Sequence, residues 1–324
     1  MTALVSGVGS ALPERIVGND EFDRLGISDA WITSRTGIRR RHWLAPEQQL
    51  LPLAVRASEA ALKDAGRVAG DVDLVVVATV TADLVSPGLA PGLAFRLGAG
   101  KPAALDVNAA CTGFLYALDY ACAMVESGRK TCVLVCAAEA ASRIADPEDR
   151  FTAPLFGDAA GAVIVEQADE TRSCGRCTPS VVLGTDGSRE AILYVDREHH
   201  QVRMRGAEVY EQAVLAMSDS VRQVCAERGV ELAEIDLFVP HQANARIIKA
   251  VLRELGVPAE RAVWYVEDIG NTSASSIPVA LDRARQDGLL RAGTKVGMVA
   301  FGAGLTWGAA IIDWKCCPHL GSGN

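Results

Sequence analysis

The sequence predicts an α/β protein built from two copies of one βαβ-rich unit, packed as a pseudo-dimer. Three observations predict it. Short β-branched runs of the fully buried kind, such as Val72 and Leu74 to Val77, alternate with segments of helical spacing. The same order of events then returns 163 residues later: Asp73 and its strand match Asp236 and residues 236–240, and residues 133–137 match 296–300. Finally, Gly161, Ala162, Val163, Ile164 and Val165 are echoed by Gly308 to Ile312 at an offset of 147, because the loop before Phe156 is longer. The two units are placed at residues 1–168 and 169–315, with a disordered tail at 316–324 that has no hydrophobic anchor.

Taken in order, residues 3–9 read as a short buried strand that leaves through Pro13. Ser28, Asp29 and Ala30 open a capped helix carrying Trp31, followed by the basic residues Arg35, Arg39, Arg40 and Arg41. Residues 52–65 place Ala54, Ala57, Ala61 and Leu62 on one helical face and end at Gly66. Residues 105–128 begin extended, pass the small step Asn108-Ala109-Ala110, and reach Cys111. From Thr112, apolar residues recur at steps of three and four until Gly128 closes the helix. Cys111 therefore sits where a strand hands over to a helix, and free N–H groups with the positive end of the helix dipole are expected to stabilise a thiolate there. A cysteine can equally be a small core residue, and position alone does not decide. The equivalent turn in the second unit falls at residues 270–274, within two residues of the offset, so the two elbows are expected to face each other across a pseudo-twofold axis. Farther on, residues 243–255 form a helix that buries Ile247, Ile248, Val251, Leu252 and Leu255 and projects Arg246, Lys249 and Arg253.

Composition narrows the function. With 49% hydrophobic and 22% charged residues among 324, the chain can bury a substantial core. Its net charge of −8 argues against general nucleic-acid binding. The first residues enter a strand without a basic, apolar leader, and no apolar run approaches the roughly 18 residues of a membrane span. Nine scattered cysteines, an odd number, suggest reduced cytoplasmic thiols rather than a disulfide framework.

Several motifs then converge on one family. His241-Gln242-Ala243-Asn244 follows the second buried strand, Gly270-Asn271-Thr272-Ser273 opens a helix, and Phe301-Gly302-Ala303-Gly304-Leu305-Thr306-Trp307-Gly308 lies near the C-terminus. With the Cys111 elbow and Trp31…Arg35-Thr36-Gly37, nearly the whole chain resembles β-ketoacyl-acyl carrier protein (ACP) synthase III, an initiating ketosynthase. The resemblance implies a thiolase-like fold, five-layered α-β-α-β-α, in a homodimer. It implies decarboxylative Claisen condensation of an acyl-CoA primer with malonyl-ACP through an acyl-Cys111 intermediate. The chemistry suits the residues. Cysteine holds the acyl group, while neutral donors from His241 and Asn271 stabilise the enolate, where a carboxylate would repel it. By family position the backbone N–H groups of Cys111 and Ala303 form an oxyanion hole. Trp31 and Arg150 would sandwich the CoA adenine, Arg35 would meet phosphate, and Gly206, Ala243 and Asn244 would line the pantetheine tunnel. The basic face of Arg246, Lys249 and Arg253 would orient an acidic carrier protein. No metal or redox cofactor is expected.

The sequence also departs from the family pattern. Glu211 stands where a carrier-docking lysine is usual, and residues 187–203 are short, so the pocket lid is expected to differ. Ser86 replaces a bulky aromatic residue that closes the acyl pocket across the dimer interface in acetyl-specific members, so a larger primer is expected. Cys174 and Cys177, with Cys316, Cys317 and His319, have redox or zinc spacing but form a weak signal. Two rivals remain open: acyl transfer from Cys111 without condensation, and a silent partner subunit.

Overall fold

The computed structural model describes residues 1–168 and 178–315; Cys174, Cys177 and the tail from Cys316 lie outside them. The N-terminal apolar run forms β1 (Ala3–Ala11). A small flap follows, in which β2 (Arg15–Gly18) pairs antiparallel with β3 (Arg40–Trp43), and α1 (Asp29–Thr36) lies between them in sequence. Ser28 caps α1 by accepting from the Trp31 N–H, and Gly37 ends it at positive φ. The chain continues through α2 (Leu51–Ala65), β4 (Leu74–Ala78), α3 (Leu89–Leu97), β5 (Ala103–Val107), α4 (Gly113–Glu126), β6 (Cys132–Ala140) and β7 (Asp158–Gln167). The second half comprises β8 (Ser180–Thr185), a hairpin of β9 (Leu193–Val195) and β10 (Val202–Met204), α5 (Gly206–Arg228), β11 (Leu237–Pro240), α6 (Ala245–Leu255), α7 (Val266–Ile269), α8 (Ser276–Gln286), β12 (Lys295–Gly302) and β13 (Thr306–Asp313). Helix α6 starts two residues later than the periodicity suggests, because Asn244 serves as its cap.

Strand register confirms the duplication pair by pair. Leu74 lies opposite Val133 in the parallel β4–β6 pair, and Leu237 opposite Val296 in the parallel β11–β12 pair, so both partners move by the same 163 residues. In the antiparallel pairs, Val135 opposite Val163 becomes Met298 opposite Ala310, which reproduces offsets of 163 and 147. The elbows keep the offset without slippage. Turns at Ala110–Thr112 and Ser273–Ser275 precede α4 and α8, and Ala110 (φ 48°) and Ser273 (φ 51°) both adopt the left-handed region. Asn271 is thus the counterpart of Asn108, and Cys111 that of Ala274. The two elbows occupy equivalent places, but the two functional residues do not.

Alternating side chains sort the strands into layers. Val75, Val77, Leu134 and Cys136 point to α2 and α3 on one outer face. Val76, Val135, Val239 and Met298 point inward, where Phe114 and Leu118 of α4 pack with Ile277 and Leu281 of α8 between the two sheets. Phe238, Val299 and Ile311 face α5 and α6 on the other outside. The result is the expected α-β-α-β-α stack. The first sheet runs β1-β7-β6-β4-β5 and the second β8-β13-β12-β11, so among the described residues β5 has no copy and remains a partly exposed edge. One bridge, Phe238 to Ala262, stands beside β11 on that side. Among the described residues no helix is long and apolar enough to cross a membrane.

Candidate active site

Cys111 occupies the short turn between β5 and α4, as the spacing predicts, and faces a cavity of about 860 Å³. The β12–β13 hairpin is joined to this turn. The Thr112 hydroxyl donates to the Thr306 carbonyl (3.2 Å), and the Thr306 hydroxyl reaches the Ala109 carbonyl (3.1 Å). Gly302 comes so near that a Cβ there would lie 2.8 Å from the Cys111 nitrogen. Its neighbour Ala303 lines the cavity beside Cys111, where their N–H groups are expected to receive an oxyanion. Burial opposes the expected stabilisation of a thiolate. Burial pushes the Cys111 thiol up to about 11, outweighing hydrogen bonds from Ser273 and its own backbone, while the Glu139 charge raises it further.

His241 emerges from the end of β11, its backbone N–H donating to the Val299 carbonyl at 2.8 Å. Its Nδ1 lies 2.5 Å from the Ser276 hydroxyl at the start of α8, and that same oxygen accepts from the Gln242 N–H at 3.3 Å. With the Ser276 proton given to Nδ1, the ring proton would lie on Nε2, where the imidazole would present a donor to the cavity. Burial lowers the His241 pKa to about 4, which keeps the ring neutral at pH 7. Asn271 is oriented in a comparable way. Its Oδ1 accepts from the Ser273 N–H at 2.9 Å, leaving the NH2 group as donor. Backbone bonds to Leu155 and Gly157 fix it between the halves.

The cavity also takes in Trp31, Arg35, Gly206, Ala243, Asn244 and Arg246. Trp31 is flanked by two guanidiniums, Arg35 at 4.3 Å and Arg150 at 4.9 Å from its ring centroid. The Asn244 side-chain oxygen is committed to capping α6 through the Arg246 N–H, so its NH2 group is what it offers a ligand. Lys249 and Arg253 are exposed on α6, away from the cavity lining. Among the described residues Arg246, Lys249 and Arg253 have no carboxylate partner, although Glu254 next door pairs with Arg222. Glu211 lines the cavity, in the position where the family resemblance expects a lysine. Ser86 does not line the cavity of its own chain: it is exposed beside the fully exposed Val85. The short segment 187–203 still folds over the cavity, contributing Leu193, Tyr194, Val195 and Val202.

Sequence reasoning did not single out Glu139, Ser273 or Ser276 as contributors to the site, nor the steric need for Gly302. Glu139 follows an apolar strand run and Ser273 lies inside a quoted motif, yet their roles depend on contacts between distant segments. Arg41 is another surprise, since it sits in a basic run with Arg39 and Arg40. Those two are exposed and paired with Glu267 and Asp268, whereas Arg41 is fully buried and donates to the carbonyls of Val17 and Pro154 and to Asn19. Burial lowers its pKa to about 10, so it stays charged.

The comparisons with known proteins agree with this geometry. Residues 105–187 match the family described as 3-oxoacyl-[acyl-carrier-protein (ACP)] synthase III, and residues 225–314 match its C-terminal counterpart. A β-ketoacyl-[acyl-carrier-protein] synthase III of Streptomyces coelicolor is 45% identical over 97% of this chain and 94% of its own length. The crystal structure of 3-oxoacyl-[acyl-carrier-protein] synthase III from Aquifex aeolicus superposes with a TM-score of 0.92 at 37% identity, covering 96% of this chain and all of that one. A priming β-ketosynthase of a polyketide biosynthetic pathway gives a TM-score of 0.90 at 36% identity, covering 97% and 96% of the two chains. Two elbows fused by duplication, a cysteine on one and two oriented neutral donors beside it, and relatives of this kind along nearly the whole length lead to one conclusion: the chain belongs to the 3-oxoacyl-[acyl-carrier-protein] synthase III family of ketosynthases.

Proposed function

We propose that this enzyme primes acyl-chain assembly by condensing an acyl-CoA with malonyl-ACP. The Cys111 sulfur attacks the thioester carbonyl and CoA leaves as its thiol. The malonyl group then loses CO2, and the resulting enolate carbon attacks the acyl-Cys111 carbonyl, releasing a β-ketoacyl-ACP and free Cys111. His241 Nε2–H and the Asn271 NH2 group face the enolate oxygen, while the Cys111 and Ala303 N–H groups face the oxyanion of each tetrahedral intermediate. The observation that carries this reading is the pair of neutral donors whose other polar atoms are already occupied, His241 by Ser276 and Asn271 by Ser273. Mere acyl transfer has no carbanion and no use for them. The balance of atoms calls for no metal or redox cofactor.

Trp31 with Arg150 and Arg35 would hold the CoA nucleotide, and Gly206, Ala243 and Asn244 the pantetheine arm. The unpaired basic face of Arg246, Lys249 and Arg253 would meet the acidic carrier. Val209, Ala213 and Met217 of α5, with Leu193 and Val202 above them, give the cavity an apolar side that supports a primer longer than acetyl. A cytoplasmic homodimer suits a site fed by soluble thioesters.

The test measures intact-protein mass after incubation with acyl-CoAs from acetyl to branched and longer chains, followed by a malonyl-ACP chase. Mass gain at Cys111, discharged with CO2 and β-ketoacyl-ACP, is expected, with longer or branched chains preferred. Reversing the charge of Lys249 and Arg253 together should raise the KM for malonyl-ACP and leave acylation alone. Discharge without CO2 would move the assignment to simple acyl transfer, and no acylation with any donor would overturn it.

A further inference from the structure

Where the Asn271 NH2 group sits in the cavity depends on what holds the Asn271 backbone, and that hold comes from the other half of the chain. The Asn271 N–H donates to the Leu155 carbonyl at 2.8 Å, and the Gly157 N–H donates to the Asn271 carbonyl at 3.0 Å. The two bonds form one parallel bridge, between Phe156 and Asn271, on the segment that enters β7. The carbonyls on either side of Leu155, those of Pro154 and Phe156, take no part in this bridge. Both residues are buried, so these carbonyls need donors from elsewhere.

Two side chains of the flap supply them. Arg41 and Trp43 stand two residues apart on β3 and project from the same face. Arg41 Nη2 donates to the Pro154 carbonyl at 2.7 Å, and Trp43 Nε1 donates to the Phe156 carbonyl at 2.8 Å. Residues 154–157 are therefore gripped from two sides, by the Asn271 backbone and by the flap. Arg41 is itself tightly fixed. Its guanidinium also donates to the Val17 carbonyl at 3.2 Å and the Asn19 side chain at 2.8 Å, and it lies 4.9 Å from the Phe22 ring centroid. Its stem presses on both sides of the bridge: a Cβ on Gly157 or on Gly270 would lie only 3.2 or 3.1 Å from the Arg41 Cβ. Gly270, at φ 66°, immediately precedes Asn271. Arg41 thus touches the turn that carries the amide as well as the segment that grips it. Among the described residues it has no carboxylate partner, and a buried cation without one is costly to keep for stability alone.

We propose that Arg41 and Trp43 are positioning residues for the condensation step. By holding the Pro154 and Phe156 carbonyls they fix the segment that holds the Asn271 backbone, and so set where its NH2 group meets the enolate. Neither side chain needs to touch substrate. The inference rests on the condensing role proposed above for Asn271. Acyl transfer to Cys111 passes through no enolate, so the effect belongs to the second half of the reaction alone.

Trp43→Phe removes one donor and keeps a ring against Phe22; Arg41→Lys keeps the charge and loses the fork that spans three acceptors. Single-turnover mass measurements follow Cys111 acylation and its discharge by malonyl-ACP separately. In each variant discharge should slow about tenfold, within the up to about 10²-fold cost of misplacing a group by 1 Å, while acylation stays within about twofold. A double-mutant cycle excludes a general effect on the fold. In an Asn271→Ala background, Trp43→Phe should change the residual discharge by less than about twofold, because no amide is left to position. Equal slowing of both steps, discharge at the wild-type rate in Trp43→Phe, or the full loss repeated in the Asn271→Ala background overturns the proposal. If Arg41→Lys fails to fold, Trp43→Phe decides alone.

A second readout needs no substrate. Amide hydrogen exchange in peptides covering residues 154–158 and 269–274 should quicken about tenfold in Trp43→Phe, with peptides from α4 unchanged. Unchanged exchange at both segments also overturns the proposal. Wild-type protein that releases no CO2 from malonyl-ACP, alongside the expected exchange, would sink the condensing function and leave the hold on Asn271 standing.

Discussion

At Cys111 two opposing effects can be compared in size. A helix N-terminus at the surface contributes about 0.3–1 kcal/mol to an anion. The rise of the thiol from 9.0 to about 11 corresponds to roughly 2–3 kcal/mol in the other direction, so burial wins. His241 shows the same logic put to use, because burial keeps the ring neutral, with one N–H donor and one acceptor nitrogen. With a folded pKa of about 4, the ring is neutral throughout the neutral range and gains a second N–H and a positive charge only as pH falls through that value. Ser276 holds Nδ1. Ser276→Ala should slow condensation by preformed acyl-enzyme about tenfold while Cys111 acylation stays within about twofold. Single-turnover mass measurements separate the two steps, and equal loss in both would show that Ser276 acts only on the fold.

The elements show why the site is placed where it is. Helices α4 and α8 fill the layer between the sheets, so their N-terminal elbows meet at the pseudo-twofold axis. The β12–β13 hairpin then closes on the first elbow through Thr306 and Thr112, and Gly302 lets it approach. Gly302→Ala would force a methyl to within 2.8 Å of the Cys111 nitrogen and displace the hairpin that presents Ala303. Acylation should fall by about 10²–10³, the usual cost of an oxyanion donor, while the circular dichroism spectrum is retained. Acylation at the wild-type rate would mean that the hairpin does not set the oxyanion hole.

Across the whole molecule the two halves differ most at one edge. The first sheet has β5, partly exposed; among the described residues the second has nothing in its place beyond a single bridge. The loop before α3, a helix whose first residues donate to Asp106 of β5, carries Leu84 at 60% exposure and Val85, fully exposed. A partly exposed edge strand and large exposed apolar residues call for a cover, and a second copy of the chain would supply one in a closed twofold arrangement. Light scattering should therefore give twice the chain mass of 34.2 kDa, and Val85→Glu should shift the population towards the single chain. A wild-type protein monomeric at micromolar concentration would contradict this. Ser86, absent from its own chain's cavity, would reach an acyl site only through such a partner.

The sequence by itself determined the layout. Hydrophobic periodicity is local, so strands, helices and caps were legible at Ser28, Gly66 and Gly128, and two copies of one pattern set the pseudo-twofold arrangement and the facing elbows. Cys111, His241 and Asn271 were legible through the turns that carry them. Tertiary structure decided what those groups are chemically. The rise of the thiol pKa, the neutrality of His241, the free NH2 of Asn271 and the burial of Arg41 beside two exposed arginines all depend on burial and on which hydrogen-bond partners remain unclaimed. Glu139 and Ser273 stand 134 residues apart, and no local pattern joins them. Only the packing of one half's strand against the other half's elbow places that carboxylate against the Ser273 hydroxyl.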